Sequence, residues 1–285
     1  MQSNFMERTQ WVIAYASVMG ALHVRENIPC QDSCACKSFS NGWGIAVVAD
    51  GAGSCTHSHI GSAKVTELAV KVFSALMGEK KWDRLGRLPS EDEWRGLAYS
   101  AVVGIRQGLE KFAKEKNLAL LSLSSTLIAV IYSPIGLLVT HIGDGRAGYF
   151  NGKEWQSILQ PFNGETASET IFLTSDVWIG DEKGIYIESR VIADRVEAFT
   201  LLSDGCEKGA FEVNMYDEVR ERYYDPNKPF ANFFNPNLKG LLSLHKEKKS
   251  QADINKLWES FLTAGTIRFK HEPDDKTMVL GVLVP

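Results

Sequence analysis

The sequence predicts an α+β fold in which helices lie over antiparallel sheets. Three observations carry this expectation. Two long segments of helical period sit between early strands, a succession of short strands separated by turns follows, and one late amphipathic helix precedes a closing strand. A chain built from βαβ units would alternate the two element types along its whole length instead.

Each element has its own signal. Residues 11–18 (WVIAYASV) are apolar and rich in strand formers, which gives a first strand. Residues 20–40 are polar, contain Pro29 and three cysteines, and offer no regular element. Residues 43–49 (WGIAVVA) form a buried strand that stops at Asp50-Gly51. The period then changes: Ile60, Leu68, Ala69, Val72, Phe73 and Leu76 fall on one helical face, with Gly78 suited to the helix end. Pro89 precedes Ser90 and Glu93, a capping box that opens a second helix. Trp94, Leu97, Ala98, Ala101, Ile105, Leu109 and Phe112 carry that helix to about Asn117. Strands follow at 125–132, 136–142, 146–150 and 154–158, and another at 197–203 stops at Asp204-Gly205. The 214–250 segment, with its prolines, asparagines and aromatics, is expected to be an irregular insertion. Ile254, Leu257, Trp258, Phe261 and Leu262 mark the last helix, and 277–284 (TMVLGVLV) the last strand. No repeat or linker divides residues 1–285, so one domain is expected.

Composition narrows the function. Lys and Arg number 31 and Asp and Glu 35, so the net charge is −4, which argues against a chain whose main task is to grip nucleic acid or an anionic membrane. No apolar run approaches the ~20 residues of a membrane span, and MQSNFMERTQ lacks the order of a secretory signal. Cys30, Cys34, Cys36, Cys55 and Cys206 make no disulfide framework. A cytoplasmic setting is the expectation. His57 and His59 read as residues of a helix start, since no third histidine stands at ligand spacing.

One device recurs: an apolar strand ends in an aspartate, usually followed by glycine. It occurs at Asp50-Gly51, Asp144-Gly145 and Asp204-Gly205, and Asp274-Asp275 stands just before the final strand. A carboxylate at the end of a rigid strand has little freedom, and glycine beside it lets the backbone come close and offer a carbonyl. Several such ends in one sheet system would converge on a hard cation that takes oxygen ligands, Mg²⁺ or Mn²⁺. The alternative for each instance is a turn, and Asp144-Gly145, with strands on both sides, keeps the hairpin reading open. Phosphate-binding loops, nucleophile elbows and kinase motifs are absent from the sequence.

With these motifs in hand the sequence resembles the protein phosphatase 2C family of metal-dependent serine/threonine phosphatases. The resemblance is carried by CQDS at 30–33, VVADGAGS at 47–54, SSTL at 124–127, HIGDGRAGY at 141–149, LLSDG at 201–205 and DDKT at 274–277, in the family's order. The opening YASVMGALHVRENIPCQDS and the NGETASETIFLTS segment look closest to a compact bacterial branch. The resemblance implies a four-layer α-β-β-α sandwich with a metal cleft between the sheet edges. It places Asp50 and the Gly51 carbonyl on two core ions, with Asp204 and Asp274 on the first of them. Asp275 is the second choice in its pair, Asp144 belongs to a weaker third ion, and Asp32 contacts metal-bound water. The implied reaction is hydrolysis of phosphoserine or phosphothreonine by a metal-bridging water, on a phosphoprotein supplied by an opposing serine/threonine kinase. There are departures: Ala52 replaces a histidine proposed as general acid, Asn27 stands where a phosphate-binding arginine is usual, and Gln31 replaces a glutamate. Arg25 or His23 is therefore expected to reach the phosphate. A phosphatase-like binding module and a small-molecule phosphoesterase stay open as alternatives.

Overall fold

The computed structural model describes residues 10–39, 41–162, 170–180 and 185–284. Strand β1 (Gln10–Val18) leads through a short helix α1 (Ala21–Glu26) to β2 (Ser33–Ser38) and β3 (Gly44–Ala49). Helix α2 (Ser58–Lys80), a single turn α3 (Trp82–Leu85) and α4 (Glu91–Lys116) come next. Then follow β4 (Leu127–Ser133), β5 (Gly136–Ile142), β6 (Arg146–Phe150), β7 (Trp155–Ser157), β8 (Glu188–Ile192) and β9 (Ala198–Leu202). After the turn α5 (Glu207–Ala210) come the short strands β10 (Phe211–Glu212), β11 (Met215–Asp217), β12 (Arg222–Tyr224) and β13 (Lys228–Pro229). Helices α6 (Ala231–Lys246), α7 (Gln251–Ala264) and α8 (Ile267–His271) precede the last strand β14 (Lys276–Val284).

Two five-stranded sheets form the centre, in the orders β1-β14-β9-β6-β7 and β2-β3-β4-β5-β8. All of their pairings are antiparallel. Both faces of each sheet are covered, which is why the central strands read as continuous apolar runs rather than alternating ones. The period of two is still visible in what each residue touches. In β3, Ile45, Val47 and Ala49 pack under α2 and α4 with Phe73, Trp94 and Ile105, whereas Ala46 and Val48 point into the layer between the sheets. In β1, Trp11 and Ile13 enter that middle layer, and Val12 and Ala14 face α6 and α7 with Phe234 and Trp258. The result is the four-layer α-β-β-α sandwich.

Helix ends follow local chemistry. The Ser90 hydroxyl accepts the Glu93 N–H at 3.2 Å at the start of α4, and Asn117 closes it in the left-handed region at φ 54°. Gly78 does not end α2, which continues to Lys80 and is closed by Lys81 at φ 55°.

Three further departures from the sequence reading have identifiable causes. Residues 20–40 hold α1 and β2, and β8 is an edge strand of mixed burial whose polar composition hid it. The 214–250 segment is not an irregular insertion: it contains the small β11–β12 hairpin and the sixteen-residue α6. Phe233 and Phe234 of α6 lie in the core, with Phe234 stacked on Trp155 at 4.6 Å, while Tyr223 is exposed. The hairpin alternative left open for Asp144-Gly145 is removed, because β5 and β6 on its two sides belong to different sheets.

Candidate metal centre

The sheet topology brings the strand-end aspartates to one end of the sandwich. Strands β3 and β5 flank the antiparallel β4, so their C-terminal ends, and with them Asp50 and Asp144, lie on the same side. The connection from β5 to β6 crosses to the other sheet, where the start of β6 meets the end of β9 and hence Asp204. The start of β14, carrying Asp274 and Asp275, meets the same end of β9. Asp32 precedes β2, whose first residue pairs with the last of β3.

Local bonds fix each position. The Asp50 N–H donates to Thr126 Oγ1 at 3.0 Å, the Thr126 N–H donates to the Asp50 carbonyl at 2.8 Å, and Gly51 bridges Ser125. A side chain at Gly51 would collide with the carbonyls of Gln31 and Ser58, so only glycine lets these three segments approach. Asp144 accepts from Thr170 Oγ1 at 2.6 Å. Asp32, buried, accepts from Ser203 Oγ at 2.7 Å. Asp274 is exposed and caps its own turn by accepting the Asp275 N–H at 2.8 Å.

The electrostatics are those of a cluster short of positive charge. Burial pushes Asp50 well above the ordinary carboxylate range, and Asp32, Asp204 and Asp144 add repulsion. Burial also pushes Asp204 up to about 7, again helped by Asp144 and Asp274. Asp32 is raised to about 7 by burial, opposed by the Ser203 hydroxyl and reinforced by Asp275 and Asp204. Asp144 is raised by burial against the pull of Thr170. Asp204 Oδ1 is buried with no hydrogen-bond partner among the described residues, a costly state for a carboxylate oxygen unless a cation meets it. Among the described residues no three His, Cys, Asp or Glu side chains cage an ion by themselves. Oxygen donors supplied one or two at a time suit Mg²⁺ or Mn²⁺, which keep several waters. The residues present therefore fit hard divalent ions.

Three predicted site residues have different surroundings from the expected ones. Asp275, 1% exposed, accepts from the N–H groups of Gly20 at 2.8 Å and Gln31 at 2.5 Å, and its Oδ1 lies 2.8 Å from His23 Nδ1. Its two oxygens are thus occupied in tying the 20–31 segment to the 274–275 turn. His23 is buried on Asp275, and Arg25 is exposed and pairs with Glu26 at 3.2 Å. Asn27 is the left-handed residue that closes α1. His57 is the residue before α2, with its Nδ1 3.3 Å from Ser122 Oγ, as a helix-start histidine would be. Ser203, Thr170 and Arg146 were not singled out from sequence. Ser203 and Arg146 do stand beside the aspartates inside the recognised motifs, and that adjacency was the available signal. Asp275→Asn keeps one acceptor and forfeits the other, so we expect a loss of about 1–3 kcal/mol in stability, read from the denaturant midpoint at unchanged slope.

Comparison with known proteins settles the family. The model for protein phosphatase 2C matches residues 19–257. The chain belongs to this family. It is 32% identical over 277 residues to serine/threonine-protein phosphatase 3 of Escherichia coli K12, covering 95% of this chain and 98% of that one. This phosphatase of the 2C type also shares its fold with solved structures. One is the Staphylococcus aureus serine/threonine phosphatase Stp1, at a TM-score of 0.56 and 13% identity over 100% of both chains. Another is the catalytic domain of PstP in complex with two manganese ions, at 0.52 and 16% over 97% of this chain and 100% of that one. RsbX was solved with magnesium, at 0.50 and 15% over 98% and 96%. Related phosphatases thus bind Mn²⁺ or Mg²⁺. No helix among the described residues is long and apolar enough to cross a membrane.

Proposed function

We propose that the chain, acting as one domain, hydrolyses phosphoserine and phosphothreonine in proteins with two core divalent ions, Mn²⁺ or Mg²⁺, and a weaker third. Asp50, the Gly51 carbonyl, Asp204 and Asp274 would hold the core ions, and Asp144 the third. When bound, such ions would neutralise phosphate charge and lower the pKa of a water so that, once it gives up a proton, it can act as the nucleophile toward phosphorus. Asp32, oriented by Ser203, would accept a hydrogen bond from that water. Asp275 holds the turn beneath Asp274 through Gly20, Gln31 and His23 rather than acting as a ligand. Ala52 has no proton to give, so the leaving seryl or threonyl oxygen would take its proton from water.

The observation that carries this reading is the buried Asp204 Oδ1, without a hydrogen-bond partner among the described residues, in a group of carboxylates whose charges raise the proton affinity of Asp50 and Asp204. The likeness to a curated serine/threonine phosphatase over almost the whole chain supports a phosphoprotein substrate, and with it an opposing kinase. A cytoplasmic setting accords with the unpaired cysteines.

The test offers a phosphothreonine peptide and a nucleotide to the purified protein, with Mn²⁺ and with EDTA. We expect Mn²⁺-dependent phosphate release from the peptide and little from the nucleotide. Release that survives EDTA would sink the metal reading, and preference for the nucleotide would favour a small-molecule phosphoesterase.

A further inference from the structure

We propose that Arg146 is a positioning residue that holds Asp144 and Asp204 at a fixed separation. The inference rests on the reading that these two aspartates face divalent ions. The β6–β9 ladder ends at the pair Arg146↔Leu202. Counted two places outward in that register, Asp144 and Asp204 fall at matching positions just beyond the ladder's end, where Asp204 opens a 3₁₀ turn (Asp204–Cys206). Among the described residues neither aspartate has a ladder bond to hold it there, and like charges facing one another drive two strands apart. The open end of the ladder needs a brace.

The Arg146 side chain, 3% exposed, supplies one. Its Nε and Nη2 donate to Glu207 Oε2 at 3.1 and 2.9 Å. Glu207 opens α5 three residues beyond Asp204. Nη2 also donates to Asp225 Oδ2 at 2.5 Å, and Nη1 donates to Asn227 Oδ1 at 2.7 Å and Asp225 Oδ1 at 3.4 Å. The guanidinium lies 5.5 Å over the Phe211 ring. One planar group thus ties the strand behind Asp144 to the turn behind Asp204 and to the segment after the β11–β12 hairpin. A fork with five fixed donors is suited to this, and a lysine ammonium is not. Both strands can then relax only together, so the gap that an ion must fit is set before the ion arrives.

The experiment titrates EDTA-stripped protein with Mn²⁺ and follows free Mn²⁺ by electron paramagnetic resonance. Melting temperature is recorded with and without the ion. Wild type is compared with Arg146→Gln, Arg146→Lys and Glu207→Gln. We expect Arg146→Gln to weaken the weakest-bound Mn²⁺ at least ten-fold and to shrink the rise in melting temperature that Mn²⁺ produces. Glu207→Gln should do the same to a smaller degree, and Arg146→Lys should recover only part. A purely structural strut would instead lower the melting temperature equally with and without Mn²⁺. If Arg146→Gln does not fold, Glu207→Gln decides. Unchanged Mn²⁺ isotherms in the folded variants would overturn the proposal while leaving the metal reading intact. A wild-type protein that binds no Mn²⁺ would overturn both.

Discussion

Asp204→Asn is expected to lose turnover by about a thousand-fold, equivalent to about 4 kcal/mol of transition-state stabilisation, while the metal-free protein becomes more stable. The two effects have one origin. Asp204 holds its proton to about 7 in the folded chain, against an ordinary value of 3.8. Between those values the folded state binds more protons than the unfolded one, so stability falls as pH rises through that window and the loss is complete above it. The full shift corresponds to roughly 4 kcal/mol. Asp204 is partly exposed, so about 2 kcal/mol is the gain expected from the neutral isostere at about pH 8. Asp32 has a shift of the same sign, to about 7. His141 opposes them. Burial pushes its ring down to about 4 from 6.5, so the stability it contributes is lost only as pH falls below 6.5. Metal-free wild type should therefore gain stability between about pH 8 and pH 7, where His141 offsets only a small part of the gain, and saturating Mn²⁺ should abolish that slope. Chemical denaturation at several pH values checks both statements. A variant no more stable than wild type at about pH 8 would mean that Asp204 is adequately solvated without an ion.

Much of the architecture was legible because burial imposes period on sequence. The uninterrupted apolar run of β3 requires cover on both faces, and the Ser90 and Asn117 ends of α4 are local chemistry that needs no knowledge of the fold. Helix α6 was not legible. Pro236 lies within it, and Asn232, Asn235 and Asn237 surround its first turns, so propensity reads a loop. Packing decides otherwise: Phe233 and Phe234 anchor the helix on Trp155 and Phe269, and Asn237 Nδ2 donates to the Phe233 carbonyl at 2.8 Å beside the proline. At the site, strand-end aspartates could be read because each is marked by its neighbours. That Asp275 is tied to the 20–31 segment could not be read, because its partners His23 and Gln31 lie more than two hundred residues away. The contact of His23 with Asp275 was hidden by the same separation along the chain.

Gly205→Ala tests the closest approach in this centre and should remove activity without touching a carboxylate. The Gly205 Cα lies against the Asp275 backbone, and an added methyl would collide with the Asp275 carbonyl oxygen. Neither side can yield cheaply. On one side the Ser203 N–H donates to the Thr277 carbonyl at 3.0 Å, and Ser203 Oγ accepts from the Thr277 N–H at 3.0 Å. On the other side Asp275 is fixed by Gly20 and Gln31. The methyl must therefore push the 274–275 turn away from the Asp204 turn, at a cost of about 3 kcal/mol. A displacement of about 1 Å between groups that act together costs about a hundred-fold in rate. We expect kcat to fall by about that factor, with weaker Mn²⁺ binding and an unchanged far-ultraviolet circular dichroism spectrum. Asp204 and Asp274 keep their chemistry in this variant and lose only their spacing. Wild-type kcat in a folded Gly205→Ala protein would show that the two carboxylates need not act at a fixed distance, and the assignment of Asp274 beside Asp204 would fall with it.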